Sequence, residues 1–253
     1  MKNKVNVLVA AVTAAFFSPL AQAEIFGGVE VGYTYDTNFT AAPDNSPKVA
    51  ENIMTYSGSL GNYLPFAGSS SAWIVKADVA ATRLDQFTAL DSNSFGLNTG
   101  IYHGFSPSNS MTAMVSGYAR RFDVDVRDTE TYAAQLGFKQ KIDKSFWFRE
   151  GVTYEVGKAQ ANSNEYSGYA VNGSLNWAPA APTLLTLGLA HNTRIYDVLV
   201  GDVRTSNQAT LGLVQQFGKH VYLRGGVTLA ANKTNAGSEY DTTIYTAGLG
   251  VNL

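Results

Sequence analysis

The chain carries three histidines, and these are the side chains best suited to acid–base chemistry. A His can activate a hydroxyl for acyl transfer when a third polar group orients its ring. His191 is followed by Asn192, Thr193 and Arg194. A hydroxyl therefore stands two residues on, but Ser is absent and the Asn sits in the wrong place. This spacing predicts a His near an interface with no catalytic role. His103 and His220 are expected at the opposite rim, out of its reach. Asp123, Asp125 and Asp128 cluster with Arg120, Arg121 and Arg127. That mixture reads as a solvated, salt-laced loop rather than an active site or a calcium site. No His, Asp or Glu group has metal-ligand spacing. The absence of Cys removes disulfides, thiolate zinc sites and thiol catalysis together. The reading is of a non-enzyme with no catalytic residue, cofactor or metal.

Composition points away from a soluble domain. Only 15% of the residues are charged, against about a quarter in soluble domains. Aromatic residues reach 12%. Met1 to Ala23 reads as a cleaved signal peptide: Lys2 and Lys4, an apolar stretch from Val7 to Phe17, then the small-x-small site Ala21-Gln22-Ala23. The apolar run is too short for a spanning helix, which needs ~20 residues. Without residues 1–23 the chain holds 16 basic and 20 acidic residues, a net charge of −4. A strongly basic nucleic-acid binder is excluded.

From residue 24 to 253 the dominant signal is alternation. Val29, Val31, Tyr33 and Tyr35 alternate with Glu30, Gly32 and Thr34; Trp73, Val75, Ala77 and Val79 alternate with Ile74, Lys76 and Asp78. A period of two means strands, because successive side chains point to opposite faces. Twelve such segments start near Phe26, Ile53, Trp73, Phe95, Met111, Thr131, Phe146, Tyr169, Leu184, Ala209, Val221 and Tyr245. Connections after even-numbered segments are mostly tight; those after odd-numbered segments are more polar and often longer. Aromatics gather at segment ends: Trp73, Trp147, Trp177, Phe66, Phe105, Phe146, Phe148, Phe217 and Tyr222 beside the short turns. Tyr33, Tyr35, Phe122, Tyr132, Tyr154, Tyr169 and Tyr196 lie at the other rim. Two aromatic belts fit two water–lipid interfaces, and backbone pairing in hydrocarbon forces the sheet to close. The expected fold is all-β: a transmembrane antiparallel up-and-down β-barrel of about 12 strands, formed by residues 24–253.

Tyr245 to Leu253 resembles the C-terminal assembly signal of bacterial outer-membrane β-barrel proteins, with a terminal Leu where Phe is usual. The resemblance implies a bacterial outer-membrane location and the barrel-assembly machinery as a partner, reached through the C-terminal strand. Tyr35-Asp36-Thr37-Asn38 is similar to turns that open the barrel domains of surface-lipoprotein assembly modifiers and exopolysaccharide-export proteins. Those families carry a helical-repeat domain before the barrel, which this chain lacks.

Parity places Glu30, Lys76, Asp78, Arg120, Lys139, Arg149, Glu155 and Arg224 toward the lumen, with Asn98, Gln135, Asn172 and Asn176. Strands ~4.8 Å apart and tilted ~40° give a cylinder roughly 24 Å across and a bore of about 10 Å. The expected function is a narrow porin-like channel for small polar solutes with weak anion preference. The alternative is a non-conducting structural barrel, or an accessory for assembly or export of surface polymers or lipoproteins, its charges paired across the lumen. Lipids and lipopolysaccharide would surround it. Glu150 shares parity with Phe146, Phe148, Val152 and Tyr154, which would put a carboxylate toward lipid; either a bulge resets the register near Arg149, or the parity assigned to this strand fails beyond that point.

Overall fold

The computed structural model describes residues 24–43, 46–160, 165–196 and 202–253. The predicted signal peptide lies outside the described residues. Twelve strands form a closed barrel in which each strand pairs with its sequence neighbours and the first pairs with the last. They are β1 (Glu24–Asp36), β2 (Glu51–Pro65), β3 (Ser71–Leu84), β4 (Ser92–Gly104), β5 (Asn109–Phe122) and β6 (Thr129–Lys141). There follow β7 (Phe146–Ala159), β8 (Tyr166–Ala180), β9 (Thr183–Tyr196), β10 (Asp202–Phe217), β11 (Val221–Thr234) and β12 (Glu239–Asn252). Every ladder is antiparallel, and β12 closes on β1 from Asn252↔Gly28 to Ile244↔Asp36. Each predicted segment has its strand. β10 and β12 begin well before their predicted starts, because polar runs such as Arg204 to Gln208 hide the alternation at the outer rim.

The barrel inverts the burial of a soluble protein. Leu189 is 64% exposed and Leu211 60%, and both belong to a continuous outer face of Val, Leu, Ile and aromatic side chains. In water such a face would be strongly unfavourable; against lipid chains it is at home. A small apolar cluster exists at the outer end, where Phe39 of the first loop packs on Ile53 and Leu84, flanked by Phe87 and Leu90. The fully buried Glu51 carboxylate fixes the loop after β3 by accepting the backbone N–H groups of Asp85, Gln86 and Phe87.

The Tyr35-Asp36-Thr37-Asn38 turn latches the closing seam. The Asp36 carboxylate accepts the Asn38 N–H at 2.9 Å and the Thr242 hydroxyl at 2.6 Å. Asn38 Nδ2 donates to the Ala42 and Asp241 carbonyls, and Thr37 Oγ1 accepts the Thr243 N–H.

Two sequence expectations need correction. The β6–β7 and β7–β8 ladders run through Glu150 without a bulge, so the register is not reset, and Val152 and Tyr154 beyond it keep the outward parity of Phe148. Glu150 is exposed on the outer face, midway along β7 between Phe146 and Tyr154. Trp147, Tyr222, Phe122 and Tyr196 were assigned to the lipid belts by their position near strand ends. Their register instead puts them on the inner face: Trp147, for example, lies between the outward Phe146 and Phe148.

Candidate functional site

On β1 the outward side chains Val29, Val31, Tyr33 and Tyr35 are all exposed, so Glu30 between them points into the barrel. Following the ladders from Glu30 places Lys76, Asp78, Arg120, Lys139, Arg149, Glu155 and Arg224 on the same inner face. The structure adds Glu24, Lys141, Arg194, Asp202 and Arg204 to this face. In the sequence Arg194 stands at the tail of the His191 segment. Its parity with Leu184, Thr186 and Gly188 was the signal that could have found it.

Four carboxylates of the inner face, Asp78, Glu155, Asp202 and Glu30, form ion pairs that lie along the wall. Lys76 Nζ contacts Asp78 two residues on at 2.7 Å, and Asn98 Nδ2 donates to the same carboxylate at 2.7 Å. Arg194 of β9 reaches Glu155 of β7 at 2.8 Å, passing over Gly168 of the intervening β8. Arg224 of β11 pairs with Glu30 of β1, passing over Gly248 of β12, and Tyr222 donates to Glu30 at 2.8 Å. None of these pairs crosses from one side of the lumen to the other. Arg120 instead donates to the Ser92 hydroxyl at 2.8 Å and stacks on Phe122.

Glycines on this face let large side chains lie flat. Phe26, Tyr118, Tyr166 and Tyr222 each face a glycine directly across a ladder, at Gly61, Gly96, Gly157 and Gly250. A Cβ at any of those four glycines would overlap the opposing ring. The rings therefore rest on bare backbone instead of standing into the lumen. Gln135 of β6 and Asn172 of β8 point inward yet are exposed, as side chains lining open space would be.

Near the short turns aromatic and basic side chains gather on the inner face. Phe26 and Tyr63 stack with centroids 4.9 Å apart. Tyr63 of β2 faces Glu24 of β1 directly across a ladder and shares the inner face with Tyr102 of β4 and Arg149 of β7. Strands β2 and β7 stand nearly opposite one another in the barrel. Arg149 faces Lys139 directly across a ladder, and Lys139 sits 5.1 Å over the Trp147 ring. The Trp147 indole N–H is buried with no acceptor among the described residues.

The histidines require a further correction. Asn207 of β10 lies directly opposite His191, and its Oδ1 is 2.8 Å from His191 Nδ1; Thr193 Oγ1 is 3.2 Å from Nε2. The orienting Asn missing from the local sequence thus comes from the next strand. Thr193 is nevertheless only 6% exposed, and the amides beside it belong to the β8–β9 and β9–β10 ladders. This outward-facing trio supplies no evident donors for an oxyanion, which acyl transfer needs. On the loop after β5, Asp128 accepts the Phe122 N–H at 2.8 Å and stands 3.7 Å from Arg121.

No family model matches the sequence, and no curated protein does. Solved structures do match. An outer membrane channel from Pseudomonas putida F1 superposes with a TM-score of 0.68 at 10% identity, over 93% of this chain and 97% of that one. The outer membrane channel DcaP of Acinetobacter baumannii gives 0.50 at 12% identity, over 91% and 97%. The translocator domain of autotransporter NalP from Neisseria meningitidis also gives 0.50 at 12% identity, over 92% and 89%. The fold is that of a bacterial outer-membrane β-barrel.

Proposed function

We propose that this chain is a narrow outer-membrane channel for small polar solutes, with a preference for anions near the short-turn end. The observation that carries this reading is the arrangement of the inner face. Acids and bases pair along the wall, rings lie flat over glycines, and Gln135 and Asn172 face inward while exposed. A sealed barrel would fill that space with side chains reaching across it. The similarity to outer membrane channels supports the same reading through the fold. Fixed positive charge at a constriction favours anions; the cluster of rings and bases near the short turns is the constriction of this reading, and it holds Lys139, Lys141 and Arg149. Assembly through β12, the strand that closes the barrel, and a surround of outer-membrane lipid and lipopolysaccharide complete the proposal.

Reconstitution into planar bilayers tests it. Stepwise conductance with modest anion selectivity is expected. A correctly folded, heat-modifiable barrel that stays silent would overturn the channel and favour the non-conducting structural or export-accessory reading.

A further inference from the structure

The constriction combines two features that plain anion selectivity does not require. The first is a pair of like charges. Lys139 and Arg149 are direct cross-strand neighbours on the inner face, and like charges in that position weaken a sheet. The second is a set of aromatic faces drawn from four strands: Phe26, Tyr63, Tyr102 and Trp147. Phe26 and Tyr63 stack on one another, and Lys139 covers Trp147. Phe26 and Tyr63 on one wall stand nearly opposite Lys139, Arg149 and Trp147 on the other, so a solute passing this level meets cations and rings together. A hydrated inorganic anion would use only the cations. A rigid ring bearing a carboxylate would use both, since its charge can sit at Lys139 and Arg149 while its face stacks on an aromatic side chain.

We propose that the constriction is a binding site for carboxylates carried on a ring, such as aromatic acids or sugar acids, and that it confers preference for them over linear anions and neutral sugars. This rests on the channel reading, because a solute reaches the site through the lumen. Glu24, directly across the β1–β2 ladder from Tyr63, would disfavour solutes with a second negative charge on that side.

The experiment has two readouts. In planar bilayers, benzoate, glucuronate, acetate and glucose are each titrated against the open-channel current. Benzoate or glucuronate should block at concentrations about tenfold below acetate, with glucose inert. Benzoate alone would identify flat aromatic acids, and both together would include sugar acids. Tyr63→Ala and Trp147→Ala should each bring the ring acids to the level of acetate, while Arg149→Gln should weaken every anion. Equal block by acetate and both ring acids would overturn the proposal, as would ring-acid block unchanged in both alanine variants.

The second readout needs no current. In the detergent-folded W73F/W177F variant, Trp147 is the remaining tryptophan, and its emission should respond to benzoate or glucuronate but not to acetate. A silent channel with that response would overturn the conduction reading and leave the site standing. Single channels with no response and no selective block would overturn the site alone.

Discussion

At the scale of single residues, two side chains sit where elementary energetics disfavours them. Glu150 has an exposed carboxylate on the lipid-facing side of β7, between aromatic residues at both ends of that face. A carboxylate facing hydrocarbon destabilises a barrel by on the order of 1 kcal/mol, depending on depth. Replacing Glu150 with Leu should therefore raise the unfolding midpoint in lipid vesicles and leave conductance unchanged. A lower midpoint would mean that the carboxylate has a stabilising partner in the membrane. Trp147 holds a buried indole N–H without an acceptor among the described residues. An unsatisfied buried donor costs about 1–3 kcal/mol. Trp147→Phe keeps an aromatic face beside Lys139 and removes that donor, so stability should hold or rise and ring-acid block should persist. Outside the membrane, Asp143 marks the turn between β6 and β7. The Ser145 backbone N–H and then its hydroxyl, at 2.7 and 3.0 Å, hold the Asp143 carboxyl below its ordinary range. Because the folded-state value is depressed, the contribution is present at neutral pH and fades as pH falls through it. The melting difference between wild type and Asp143→Asn should shrink in acid; a difference independent of pH would remove the carboxylate from the turn's stability.

At the scale of elements, opposition between glycine and a ring is the recurring device. Gly96 faces Tyr118 and Gly250 faces Tyr222, and in both cases the ring occupies the place of the missing Cβ. Gly96→Val should push Tyr118 off the wall and break its 2.6 Å hydrogen bond to Asn98. Single-channel conductance should fall while the barrel still assembles; unchanged conductance would show that the ring does not border the conducting path. Alternation was legible at all twelve strands, because period two survives any choice of which face is polar. Inner-face charges were legible for the same reason: parity places Lys76 or Arg149 without knowledge of its neighbours. Pairing was not legible. Glu30 and Arg224 are far apart in sequence and meet only because β1 closes on β12. His191 likewise gains Asn207 through the β9–β10 register, which no local spacing encodes. Trp147 and Tyr222 were misassigned because nearness to a strand end resembles belt position, whereas facing is decided by parity alone.

At the scale of the whole molecule, the charges divide into those that hold the wall together and those that set the field at the constriction. Lys76 and Arg224 belong to the first group, since each neutralises a partly buried carboxylate, Asp78 or Glu30. Replacing both with Gln leaves two inward carboxylates without their cations. Such half-broken pairs destabilise by on the order of 1–3 kcal/mol, and the exposed negative charge draws cations into the lumen. Lys139 and Arg149 belong to the second group, where like charges face one another across the β6–β7 ladder. Replacing both with Gln relieves that repulsion but also removes the contact of Lys139 with Trp147, so the unfolding midpoint should stay near that of wild type. Selectivity should nevertheless move toward cations, because two of the three bases at that level are gone and Lys141 alone remains. The two double variants, K76Q/R224Q and K139Q/R149Q, thus share one phenotype and differ in the other. Reversal potentials in a salt gradient and thermal melts of the folded barrel measure both. If K139Q/R149Q left the reversal potential unchanged, the constriction would not set selectivity. If K76Q/R224Q melted like wild type, the wall pairs would contribute nothing measurable, as many exposed ion pairs do. Loss of anion preference in both variants, with loss of stability only in K76Q/R224Q, is the outcome required of a barrel whose acids are bound to its wall while its constriction carries net positive charge.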